Sequence, residues 1–209
     1  FMGSDLSKNH ESRFFQNINV RIFQELGGRW DNPPDMHVLL DNKGYLENVV
    51  SFLKEKLNSR QFTQYFHPFK NLDALENNKN RAWGWKDPRN VYTLPIWLKL
   101  FPKAKVIFIK RHGVDVAASL RKRALKEADK VKSSAQISEE NKGLSSFSSR
   151  CSTLEGGLEL WNEYNYEAEE TLKRLKEVSY IKLEYENLLI NPNQVINKIR
   201  EFLDGYSLS

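Results

Sequence analysis

Cysteine is almost absent from this chain: Cys151 stands alone among 209 residues. A single cysteine excludes an intramolecular disulfide framework and any cysteine-based zinc cluster, and it points to a reducing, cytoplasmic setting. Histidine is nearly as sparse. His10, His37, His67 and His112 show no ligand spacing, so no metal site is expected. No apolar run approaches the length of a membrane span. The opening FMGSDLSKNH has neither the charged start nor the apolar core of a signal peptide. There is no internal repeat. Nor is either charge dominant: 32 Lys+Arg against 27 Asp+Glu leave a formal charge of +5. That modest basic excess favours an anionic ligand without choosing among nucleic acid, a membrane surface and a phosphorylated small molecule.

What is present is a succession of helical and strand-like segments within the length of one domain, 1–209. Phe14, Ile18, Ile22 and Leu26 recur at fourfold spacing, which predicts an amphipathic helix over 11–26 closed by Gly27-Gly28. Leu46, Val49, Val50, Leu53 and Leu57 predict a second helix over 44–60, after a turn-rich connection. NNKN at 77–80 reads as a loop. RAWGW at 81–85 reads as a short strand that Asp87-Pro88 ends. A helix over 91–101 follows, and then KVIFI, an apolar run typical of a strand buried on both faces. Helices over 113–130 and 153–177, a third strand in VSYIKL and a closing helix from Asn191-Pro192 complete the order. Between them, 132–152 is Ser-rich and aperiodic, and reads as a mobile loop. Strands alternating with helices imply an α/β fold: a parallel sheet in a three-layer α/β/α arrangement.

In such a sheet the ligand crevice lies beyond the carboxyl ends of the strands. Lys86, Arg89 and Arg111 fall at two of those ends, and Arg111 directly precedes a helix whose first N–H groups favour an anion. Ser119 and Arg123 follow one helical turn apart. Together they describe a phosphate or sulfate site. The plainer alternatives are solvated charges, an ion pair of Lys86 with Asp87 or of Arg111 with Asp115, and for Arg123 an exposed helix face. Arg89 reads as a brace for its turn.

The stretch RHGVDVAASLRKR, directly after an apolar strand, resembles the 3'-phosphate-binding segment of the sulfotransferases that use 3'-phosphoadenosine 5'-phosphosulfate (PAPS). WGWKDPR resembles the KDPR-type element of their bacterial and tyrosylprotein-sulfotransferase-like branch, and LELWNEYNYEAEETLKRL and VSYIKLEYENLLINPNQVINKIREFL continue the likeness in order. The resemblance implies a P-loop-NTPase-like sulfotransferase fold and transfer of a sulfuryl group from PAPS to a hydroxyl or amine, with release of PAP and no metal. By the same resemblance, Arg111, Ser119 and Arg123 bind the 3'-phosphate. Lys86 steadies charge on the leaving oxygens, and Glu11 is the general base, with His10 its rival and the start of a helix its structural alternative. Tyr166 is a candidate to stack on adenine; Trp161 and Tyr164 share its helix, where aromatic stripes usually serve the core. His112 adjoins Arg111, which disfavours its protonation. His37 and His67 read as surface or packing residues, and Glu184 and Glu186 as turn and packing residues.

One family element has no counterpart in residues 1–209: the GxxRSGTS-type loop that cradles the 5'-phosphosulfate. The expectation is a sulfotransferase domain that is incomplete at its N-terminal side, short of a first strand, that loop and a first helix, and left with an exposed sheet edge. A non-catalytic PAP-binding module that lost the loop and a basic nucleic-acid-binding domain built on 121–132 are the alternatives. Nucleic acid is the less expected partner. A nucleotide kinase would need a Walker-type loop, which the chain lacks. The acceptor (small molecule, carbohydrate, lipid or peptide) and the oligomeric state are not legible.

Overall fold

The computed structural model describes residues 11–65, 71, 74, 83–133 and 148–203. The expectations for His10, His67, NNKN and residues 134–147 lie outside them.

Helix α1 (Arg13–Glu25) buries Phe14, Phe15, Ile18, Asn19, Ile22 and Phe23, a wider face than the fourfold series alone defines. It ends where Gly27 takes φ 72°, a left-handed conformation that costs glycine nothing. The Gly28 N–H then donates back to the Phe23 carbonyl, a helix-closing bond that satisfies an otherwise orphaned acceptor. Gly28 also has Pro34 so close that a Cβ would stand 2.5 Å from its ring.

The connection that follows includes a one-turn helix, α2 (His37–Leu40). The second predicted helix, over 44–60, is α3 (Lys43–Leu57), and a further short helix, α4 (Arg60–Tyr65), follows it. The break is at Asn58-Ser59: the Asn58 amide bonds the Lys54 carbonyl, and Ser59 Oγ accepts from the Phe62 N–H. Both side chains thus hold backbone groups that a continuous helix would use.

Of RAWGW, 81–82 lie outside the described residues, and 83–85, read as part of a strand, pair with no strand among the described residues. Their aromatic rings are used for stacking instead. Phe15 lies 4.1 Å from the Trp85 ring and nearly parallel to it, and Trp83 meets Phe101 edge-on. Offset and edge-on ring contacts of this kind add to the burial of the core.

Helix α5 (Asn90–Leu100) leads to β1 (Val106–Lys110), which pairs in parallel with β2 (Tyr180–Glu184) in the register Val106 to Tyr180 through Lys110 to Glu184. The result is an α/β fold with a parallel sheet, two-stranded among the described residues. β1 is not buried on both faces as its sequence suggested. Four of its residues are half-buried and Ile109 is exposed, because among the described residues the strand has one neighbour and its other side borders a cavity.

Helix α6 (Gly113–Ser133) packs closely on α7 (Leu154–Arg174), with Gly157 so near Ala117 that a Cβ would come within 3.0 Å of its Cα. The Ser-rich segment is narrower than its composition suggests. α6 reaches Ser133, and Arg150–Ser152 forms a 3-10 turn in which Cys151 is fully buried. The two short helices α8 (Tyr185–Ile190) and α9 (Pro192–Phe202) close the described chain. The larger core joins α1, α3, α4 and α5 around Phe15, Leu53, Phe62 and Ile96, and a smaller one joins Ala124, Cys151 and Leu160.

Candidate functional site

The segment after Trp85 turns sharply at Asp87-Pro88-Arg89, and the buried Asp87 carboxylate organises that turn. Its Oδ1 accepts from the Arg89 N–H at 3.0 Å and from the Arg89 guanidinium at 2.8 Å, while Oδ2 accepts from Asn19 Nδ2 at 3.1 Å. Burial pushes the Asp87 carboxyl above the ordinary aspartate range, against the lowering effect of the Arg89 charge and of these hydrogen bonds. Arg89 therefore braces the turn. Lys86 does not pair with Asp87, whose acceptor atoms are already taken by Arg89 and Asn19.

Lys86 reaches across to Glu11 instead, with Nζ 2.8 Å from Oε1. The Glu11 carboxylate is almost fully buried, and its Oε2 accepts from Gln16 Nε2 at 2.8 Å. Glu11 lies two residues ahead of α1, outside the helix's first turn. The two residues singled out for catalysis are thus in contact, although 75 positions separate them.

Arg111 follows the last residue of β1. Its guanidinium lies over the Tyr185 ring at 5.1 Å from the centroid and 4.0 Å from Asp115. The Arg111 carbonyl accepts from Trp161 Nε1 at 2.9 Å, which ties the end of β1 to α7. Gly113 allows this approach, because a Cβ there would meet the Trp161 ring at 3.0 Å. The His112 N–H at the helix start donates to a Glu186 carboxylate oxygen at 2.9 Å. That bond, with help from the nearby Arg111 charge, holds the Glu186 carboxyl below its usual range. Glu186 is thus more than a turn residue: it stands where an anion was expected.

Arg123 is exposed on α6, and its guanidinium stacks over Trp30 at 4.6 Å from the ring centroid. Trp30 is in turn held by the Tyr164 hydroxyl, which donates to the Trp30 carbonyl at 2.7 Å. Burial raises the Tyr164 phenol far above its ordinary pKa, so this hydroxyl keeps its proton.

Glu11, Lys86, Arg89, Arg111 and Arg123 all line one cavity of about 1570 Å³ that runs along the uncovered side of β1. Ser119 is exposed on α6 one turn before Arg123 and is not among the lining residues. Tyr166 is also outside the cavity and 66% exposed. At about 100° per residue, Trp161 and Tyr164 share the inward face of α7, and Tyr166, two positions on, turns away. The aromatic residues near the cations that sequence reasoning passed over are Trp30 and Tyr185, from a loop and from a short helix with no periodic signal.

The model of the sulfotransferase family matches residues 35–206. The chain belongs to the sulfotransferase family. The matched span includes the Lys86 turn, β1, α6 and α7 of this sulfotransferase-family chain; Glu11 lies before it. No curated protein and no solved structure matches the chain. Among the described residues no group of histidine, cysteine and acidic side chains is arranged to hold a metal ion, and no helix is long and apolar enough to cross a membrane.

Proposed function

We propose that this sulfotransferase-family chain uses PAPS as donor and transfers its sulfuryl group to a hydroxyl or amine acceptor, releasing PAP. The observation that carries the reading is the convergence of three cations, Lys86, Arg111 and Arg123, and the Glu11 carboxylate on one cavity. The volume exceeds that of a typical small-molecule pocket, about 300–1,000 Å³, and leaves room for a nucleotide and an acceptor together. The proposal places 1–209 in a single domain.

In this reading Arg111 and Arg123 hold the 3'-phosphate, with Ser119 on α6 one turn before Arg123. A planar guanidinium binds two phosphate oxygens at once. The acceptor oxygen or nitrogen attacks sulfur in line, and the bond from sulfur to the bridging oxygen of the 5'-phosphosulfate breaks. Lys86 exchanges Glu11 for that leaving oxygen and offsets the charge developing on it. Glu11, released from Lys86, takes the proton that the acceptor loses. The 2.8 Å pair is accordingly a resting state in which each partner holds the other in place.

A calorimetric titration of PAP into the chain tests the donor site. Micromolar binding that is lost in Arg111→Ala supports the reading. Binding that survives the substitution refutes the role given to Arg111.

A further inference from the structure

Asn19 is a polar residue on the buried face of α1, with no solvent exposure at all. Its amide uses its full capacity of four hydrogen bonds. Oδ1 accepts from Thr93 Oγ1 at 3.0 Å and from Trp97 Nε1 at 2.9 Å. Nδ2 donates to Asp87 Oδ2 at 3.1 Å and to Asn90 Oδ1 at 2.9 Å. Asn90 Oδ1 also accepts from Trp85 Nε1 at 3.1 Å, so of the residues on either side of Lys86, Asp87 is tied to Asn19 directly and Trp85 through Asn90.

Glu11, Phe15 and Asn19 follow one another at fourfold spacing, and all three face the segment 85–90. Glu11 meets Lys86, Phe15 lies flat on Trp85, and Asn19 holds Asp87 and Asn90. A stacked ring fixes separation and tilt but tolerates sliding. A saturated amide does not, because a shift of about 1 Å would break bonds that no water can replace. Lys86 itself is half-exposed at its side chain and has a flexible stem, so its own packing does not set its place.

We infer that Asn19 is a positioning residue: it fixes the height of the Lys86 turn against α1 and thereby sets the Glu11–Lys86 pair. Its importance for chemistry rests on the sulfotransfer reading. The positioning itself does not.

The test uses the whole chain without donor and follows acetylation of individual lysines by an N-hydroxysuccinimide ester, read by mass spectrometry. A lysine held by a buried carboxylate reacts slowly. In Asn19→Ala, Lys86 is expected to react about fivefold faster, close to its rate in Glu11→Gln. Lys105, whose Nζ is held by the Phe202 carbonyl at 2.6 Å rather than by a carboxylate of this seam, should keep its rate. A folded Asn19→Ala in which Lys86 keeps its wild-type rate overturns the inference. So does a joint rise at Lys86 and Lys105, which would show general loosening. Should Asn19→Ala not fold, Asn90→Ala removes one of the four partners; Lys86 should then react about twofold faster, and an unchanged rate overturns the inference. Repeating the labelling with PAP separates the two claims. A seam effect without PAP, together with no protection of Lys86 by saturating PAP, would refute the sulfotransfer reading alone.

Discussion

Replacing Asp87 should be among the most damaging single changes in this protein. The side chain is fully buried, and three donors converge on it: the Arg89 N–H, the Arg89 guanidinium and the Asn19 amide. Arg89 keeps only 14% of its side-chain surface exposed, so water cannot replace what it loses. Asp87→Ala leaves a nearly buried guanidinium and a buried amide donor without an acceptor, and removing one partner of a buried pair costs about 3–5 kcal/mol. Asp87→Asn keeps one acceptor oxygen for Arg89 but turns an NH2 group toward Asn19 or Arg89, and should cost about 1–2 kcal/mol. Urea unfolding followed by tryptophan fluorescence reads both, since Trp85 and Trp97 share the network. The order wild type, Asn, Ala is the expected result. An alanine variant less than about 1 kcal/mol below wild type would refute the argument, because that is the range of a solvent-exposed pair.

Two further outcomes follow from the charges. Because burial raises the Asp87 pKa on folding, the folded state holds a proton that the unfolded chain releases in the window just above the ordinary aspartate value. Stability from this group is therefore fully present below that window and falls as pH rises through it. The difference between wild type and Asp87→Asn should show the same slope, and a flat difference across acidic pH would contradict it. At the start of α6, Glu186→Gln removes the carboxylate that occupies the His112 N–H and shares the Arg111 field. PAP affinity should rise, by at most about fivefold, and the gain should shrink in high salt. A loss of affinity would mean that Glu186 instead supports the bound state.

Much of the frame was legible because it rests on periodicity. α1 and α3 announce themselves through apolar residues one turn apart, and β1 through an uninterrupted apolar run before two cations. RAWGW misled because Trp83 and Trp85 meet the composition of a strand while serving a stack with Phe15 and Phe101. The burial expected of β1 is not met among the described residues for a related reason: an apolar run shows what a strand can bury, not which neighbours cover it. At the site, Lys86 and Arg111 stood out as cations at strand ends. The contact of Lys86 with Glu11 did not, since no spacing rule links residues 75 apart. Asn19 left a faint signal, a polar residue in phase with the buried Phe15 and Phe23, which the pattern of a helix alone cannot tell from a tolerated exception. Trp30 and Tyr185 left none.

A crystal structure of the chain with PAP tests the donor site and the Lys86–Glu11 exchange together. The 3'-phosphate should lie between Arg111 and Arg123, and the 5'-phosphate within hydrogen-bond reach of Lys86 Nζ, with the Glu11–Lys86 contact lengthened or broken. PAP bound elsewhere, or bound in this cavity with the Lys86–Glu11 pair intact and the 5'-phosphate remote from both, would contradict this arrangement.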